Sequence, residues 1–190
     1  YTLRDSYFIP PELGGIGDLD NMWPANYPYH HHHPGSETYL LIMTGYHVAS
    51  MINCACDPYR TDFLEMMLQH FVTVYSCFGA FLNNSIEGAA FSAYVHDIAD
   101  ILICGCRLLS ETNFKRTTLV LFLVDIVVWA FTRNYIFTKF VIKLYINRVP
   151  AWDAYWNPWL VNIYCFTGGN LCMLHYYWLF MLLKIVAHYA

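Results

Sequence analysis

Long blocks of apolar side chains, each close to a bilayer crossing in length, follow one another from Thr38 onward with short polar stretches between them. The first expected span is Tyr39–Cys56, which has His47 near its middle and ends at Asp57-Pro58. DFLEMMLQHFVTVYSCFGAFL (Asp62–Leu82) and GAAFSAYVHDIADILICGCRLL (Gly88–Leu109) follow. Asn83-Asn84-Ser85-Ile86-Glu87 between them is too short for anything but an antiparallel helical hairpin. A polar loop with Arg107, Lys115 and Arg116 leads to a fourth span, Thr117–Phe131, which contains Asp125. Tyr135–Val149 is apolar but broken by Lys139 and Lys143, and reads as a short or tilted span whose lysines snorkel to an interface. Trp152, Trp156 and Trp159 gather around the loop Pro150–Pro158, as amphipathic aromatics do at a membrane surface. A last helix runs from Trp159 to about Ala187, with Gly168-Gly169 permitting a kink or close packing. The pattern predicts an all-α, polytopic transmembrane bundle of five to six spans.

Composition agrees: 57% of residues are apolar and 13% charged, against about 45–50% and 25% in soluble domains. Ten Lys and Arg against fourteen Asp and Glu give no basic field, so nucleic acid is not an expected partner. The six-span arrangement would place six Lys/Arg on one side and four on the other, too small a bias to set an orientation. Seven cysteines lie in or beside apolar runs and read as small buried residues rather than a disulfide or metal framework. Residues 1–37 hold five of the eight prolines and five acidic residues against one basic one. They are expected to form an extramembrane arm that orders against a partner, ahead of a transmembrane domain over 38–190. The run His30–His33 is expected to be solvated, with no metal and no cofactor.

The chemistry-bearing residues are Glu65 and His70 in the second span and His96, Asp97 and Asp100 in the third. A charge at the centre of a membrane helix costs about 2.5–3.5 kcal/mol, so such groups face a bundle interior, a polar cavity or one another. Helical spacing puts His96 and Asp100 on one face with Asp97 beside them, an imidazole held between carboxylates. That arrangement suits general-base catalysis, and equally a polar network that pins helix to helix. These five groups are expected to share one interior cavity. Di-iron chemistry is not expected, because the spans lack His-rich boxes.

FLEMMLQHFVTV followed by AYVHDIADILI resembles the Lag motif of ceramide synthases, enzymes of the TLC-domain family. Three further stretches carry the resemblance: Trp23-Pro24-Ala25-Asn26-Tyr27-Pro28, Arg60-Thr61-Asp62-Phe63 and Thr132–Phe137. It covers about residues 20 to 190. It implies N-acylation of a sphingoid base by acyl-CoA, the co-substrate, with a His-His pair and a His-Asp-x-x-Asp inside the membrane. The second histidine of the pair falls at His70 and the later motif at His96, Asp97 and Asp100, but the first histidine falls at Gln69. A primary amide cannot serve as the base or nucleophile that an imidazole provides. The expected function is therefore a catalytically silent TLC protein, a lipid-binding or structural subunit of a larger membrane complex. The alternative is an active acyltransferase using His70 and His96. Expected partners are membrane lipids, including an acyl chain, and other membrane-protein subunits. The resemblance implies the endoplasmic reticulum, with another organelle membrane such as the mitochondrial inner membrane as the alternative for a complex subunit.

Overall fold

The computed structural model describes residues 3, 6–22, 29–56, 63–152 and 158–189. The stretches Trp23–Pro28 and Arg60–Asp62 of the family resemblance lie outside the described residues, as does 153–157 with Trp156 in the expected interface loop. Among the described residues there is no strand. Six α-helices follow in order: α1 (Pro34–Cys56), α2 (Phe63–Leu82), α3 (Ile86–Ser110), α4 (Lys115–Trp129), α5 (Phe137–Trp152) and α6 (Pro158–Tyr189). The chain forms two compact units, 1–93 and 94–190, with the boundary inside α3.

In the first unit, Pro34 begins α1, where a missing N–H is harmless and φ is already helical. His33 caps it, its Nδ1 accepting the N–H of Gly35 at 3.2 Å. α1 packs on α2 through Leu40, Cys77 and Ala80, and Ile86 at the start of α3 closes the cluster. α2 ends in a left-handed cap: Asn84 has φ 54°, and the N–H of Ser85 returns to the carbonyl of Ala80 at 2.9 Å. Asn83, Asn84 and Ser85 connect α2 to α3.

The arm is less solvated than its composition suggests. Phe8, Ile9, Leu13, Leu19 and Met22 are all buried, covered by the chain itself, whereas Ile16 and Tyr29 are exposed. The strand of backbone around Tyr7–Ile9 doubles against Gly15–Asp18: Gly17 N–H reaches Ile9 O at 2.9 Å and Asp18 N–H reaches Tyr7 O at 3.2 Å. A Cβ on Gly17 would stand 1.5 Å from the Tyr7 carbonyl oxygen, so only glycine permits this approach. Gly17→Ala is expected to cost about 1–3 kcal/mol of overpacking strain. Limited proteolysis in detergent should then cut within residues 6–22 well before the parent chain is cut. Equal cleavage rates would contradict this.

The second unit departs from the expected spans. α4 does not end near Phe131 but passes through a π-helical segment, Ala130–Ile136, directly into α5. Lys115–Ile146 is one continuous apolar helix of 32 residues, so Tyr135–Val149 extends the fourth span rather than forming a separate one. No Pro or Gly interrupts it. The polar triplet Thr132-Arg133-Asn134, which reads as an exit from the membrane, is instead buried in the middle of this helix. Gly168 of α6 lies against α5, where a Cβ would meet Val141 at 3.3 Å. α1, α3, Lys115–Ile146 and Tyr164–His188 are each long and apolar enough to cross a membrane. α2, of 20 residues, carries Glu65, Gln69 and His70 and is not among these four. All seven cysteines are free.

Candidate functional site

Two histidine pairs, one in each unit, form the candidate site groups. On α2, Gln69 and His70 are both buried, each 7% exposed. Nδ1 of His70 lies 3.1 Å from Nδ1 of His47 on α1. One of these nitrogens donates and the other accepts, so the contact defines a tautomer for each ring. Helix α2 therefore presents an amide and an imidazole to the interior side by side, and α1 supplies a second imidazole. Glu65, in the first turn of α2, is half-buried.

In the second unit His96 of α3 meets His175 of α6, with 3.0 Å between their Nε2 atoms. His175 is fully buried, and the Phe137 ring stands edge-on to both imidazoles. Trp129 Nε1–H donates to the His175 carbonyl at 3.3 Å. Helical spacing suggests that Asp100 faces His96. In the structure the Asp100 carboxylate is instead ion-paired with Arg133, whose Nη2 also donates to the carbonyl of His96 at 3.0 Å. The guanidinium lies 4.1 Å above the Trp129 ring. Asp97 is half-buried and Asp125 fully buried, and both add negative potential at Arg133. The motif His96, Asp97, Asp100 is thus organised around a buried cation, as lipid-embedded charges require.

Four residues here lie outside the sequence-predicted set: His47, Arg133, His175 and Glu87. Arg133 had a signal, since it falls in the Thr132–Phe137 stretch of the family resemblance. His47 and His175 had none, because their partners are 23 and 79 residues away.

Glu87 corrects two expectations at once. It lies in the first turn of α3 rather than in a solvated turn, and it is 1% exposed. The side chains of His30 and His32, expected to be solvated, are 6% and 13% exposed and converge on it. Burial also acts on Tyr7: together with the Glu87 charge and hydrogen bond it pushes the phenol up to about 12. Tyr7 therefore remains a donor to Glu87, at 3.4 Å, through the neutral range. For His32, burial alone would disfavour the charged ring, but hydrogen bonds to Asn84 and Glu87 outweigh it and raise its pKa.

Buried ionisable groups held between apolar helices of spanning length define an integral membrane protein. The TLC domain matches residues 5–184, and the chain belongs to the TLC-domain family. It is 24% identical to ceramide synthase hyl-1 of Caenorhabditis elegans over 97% of this chain and 53% of that protein. It is 25% identical to human ceramide synthase 5 over 88% of this chain and 42% of that protein. With sphingosine N-acyltransferase lag1 of Schizosaccharomyces pombe it shares 22% identity over 84% of this chain and 43% of that protein. The chain thus spans about half the length of the relatives it matches. No solved structure matches it.

Proposed function

We propose that this chain is a ceramide synthase-like membrane protein that holds a lipid acyl chain without transferring it, and acts as a subunit of a larger membrane assembly. The observation that carries the reading is the buried amide of Gln69, at the position where the resemblance expects the first histidine of the pair. An amide can hold a carbonyl or hydroxyl by hydrogen bonds but cannot accept a proton near neutral pH. Within each unit the polar groups bond to one another: His47 with His70 in the first, and His96 with His175 and Arg133 with Asp100 in the second. Such closed pairs hold helices together whether or not a reaction occurs. The acyl chain is proposed because the relatives are ceramide synthases and a sphingosine N-acyltransferase. The endoplasmic reticulum is the membrane this reading favours. The test is an acyl-CoA and sphingoid-base assay on the purified chain, with mass spectrometry of co-purified lipid. Enriched acyl lipid without product is expected; robust product would overturn silence, and a lipid-free protein would overturn binding.

One observation favours the second reading, an active N-acyltransferase. His47 sets an imidazole against His70 from another helix, and a histidine pair is thereby rebuilt without position 69. If that pair works, His47→Ala abolishes product formation in a chain that makes it.

A further inference from the structure

The cluster of His30, His32 and Glu87 belongs to neither histidine pair, and all three residues lie in the first unit. Their ligand atoms fall within 4.8 Å of one another. Nε2 of His30 is 3.3 Å from Glu87 Oε2, and Nδ1 of His32 is 2.8 and 2.9 Å from Oε1 and Oε2. A carboxylate only accepts, so each facing nitrogen must either carry a proton or give its lone pair to a cation.

Three features of the geometry favour the cation. Zinc bound by nitrogen and oxygen at about 2.0–2.2 Å in a tetrahedral array holds neighbouring donors about 3.3–3.5 Å apart. The His30 to Oε2 distance, 3.3 Å, has that value, and the His32 to Oε2 distance, 2.9 Å, is a few tenths of an ångström shorter. Next, Nε2 of His32 donates to Asn84 Oδ1 at 2.7 Å. In the neutral ring that bond places the proton on Nε2 and leaves the Nδ1 lone pair for a cation in the cluster, the arrangement by which metal-bound histidines are oriented. Asn84 is itself fixed by its left-handed backbone in the α2–α3 turn. Last, Oε1 of Glu87 is occupied by the N–H of His33 at 3.2 Å and the hydroxyl of Tyr7 at 3.4 Å. Oε2 faces the two imidazoles, the groups that would share a cation with it.

We propose that His30 Nε2, His32 Nδ1 and Glu87 Oε2 form a site for a divalent transition-metal ion of the zinc class, with a fourth position for water. The site fastens the segment ahead of α1 to the first turn of α3. It is independent of the acyl chemistry proposed above and stands or falls separately from it.

The experiment uses the full chain in detergent micelles, purified without a polyhistidine tag, stripped with chelator and reloaded with zinc chloride. Zinc is measured by atomic emission, and affinity by competition with a chromophoric chelator. One equivalent per chain is expected, with at least a 100-fold loss of affinity in Glu87→Gln and in His32→Gln. Asn84→Gly keeps the left-handed backbone while removing the orienting amide, and should weaken binding about 10–100-fold with the fold intact. His31 is exposed and outside the cluster, so His31→Gln should bind as the parent does. Less than a tenth of an equivalent on the parent chain would overturn the proposal. So would a loss in His31→Gln equal to that in His32→Gln, which would mean adsorption on the histidine run, or unchanged affinity in Asn84→Gly.

Discussion

Replacing Arg133 with methionine is expected to destabilise the second unit by about 3 kcal/mol, seen as an earlier unfolding transition in detergent micelles. The guanidinium is 1% exposed and connects the Asp100 carboxylate, the His96 carbonyl and the Trp129 ring. Breaking a buried ion pair by removing one partner costs about 3–5 kcal/mol, because the remaining charge is left without compensation. The lower end applies here, since the Asp100 side chain keeps 38% of its surface accessible and can recover some solvation. Asp125, buried nearby on α4, has no such outlet and adds to the cost. The double variant Arg133→Met with Asp100→Leu should recover part of the loss, since replacing both members of a pair by apolar groups is often close to neutral. A single variant that melts with the parent would show that the pair contributes nothing to stability.

The second large effect is a gain. Under the silent reading, Gln69→His is expected to raise N-acylation of a sphingoid base by about 10²–10⁴, the usual contribution of a positioned general base. The new imidazole would stand beside His70 on α2, in the order that the family resemblance requires, at a position already buried. On that reading His70 would not compensate in the parent chain, because adjacent helical residues point about 100° apart and its Nδ1 is engaged by His47. Parallel measurement of Gln69→His and Gln69→Ala separates chemistry from packing. Gain in both would trace to relief of crowding, and gain in neither would put the loss of activity elsewhere in the chain.

Helix positions were legible in the sequence because they rest on local hydropathy. The expected spans Asp62–Leu82 and Gly88–Leu109 differ from α2 and α3 by at most two residues at either end. The break expected after Phe131 was misplaced for a physical reason: a window average registers Thr-Arg-Asn as polar but cannot register that Asp100 neutralises the arginine. The same limit applies to the site. His70 and His96 stood out as charges within apolar runs, whereas their partners His47 and His175 are set by how helices pack. Glu87 looked like a turn residue because it follows Asn83-Asn84-Ser85, and only the fold brings His30 and His32 onto it.

The π-helical segment Ala130–Ile136 acts as a register shift inside the long fourth helix. Its i to i+5 bonding, closed by the Phe137 N–H on the Thr132 carbonyl, accommodates one more residue than an α-turn of the same length. Each residue of an α-helix advances the face by about 100°. Deleting one residue between Ala130 and Ile136 would let the segment relax to α-geometry and keep Phe137 and Phe140 turned inward. Deleting one a few positions later, in α5 itself, would swing every following side chain round the helix axis. A helix of this kind carries a built-in tolerance for length change at one place only, and that place is where its charged residue enters the interior.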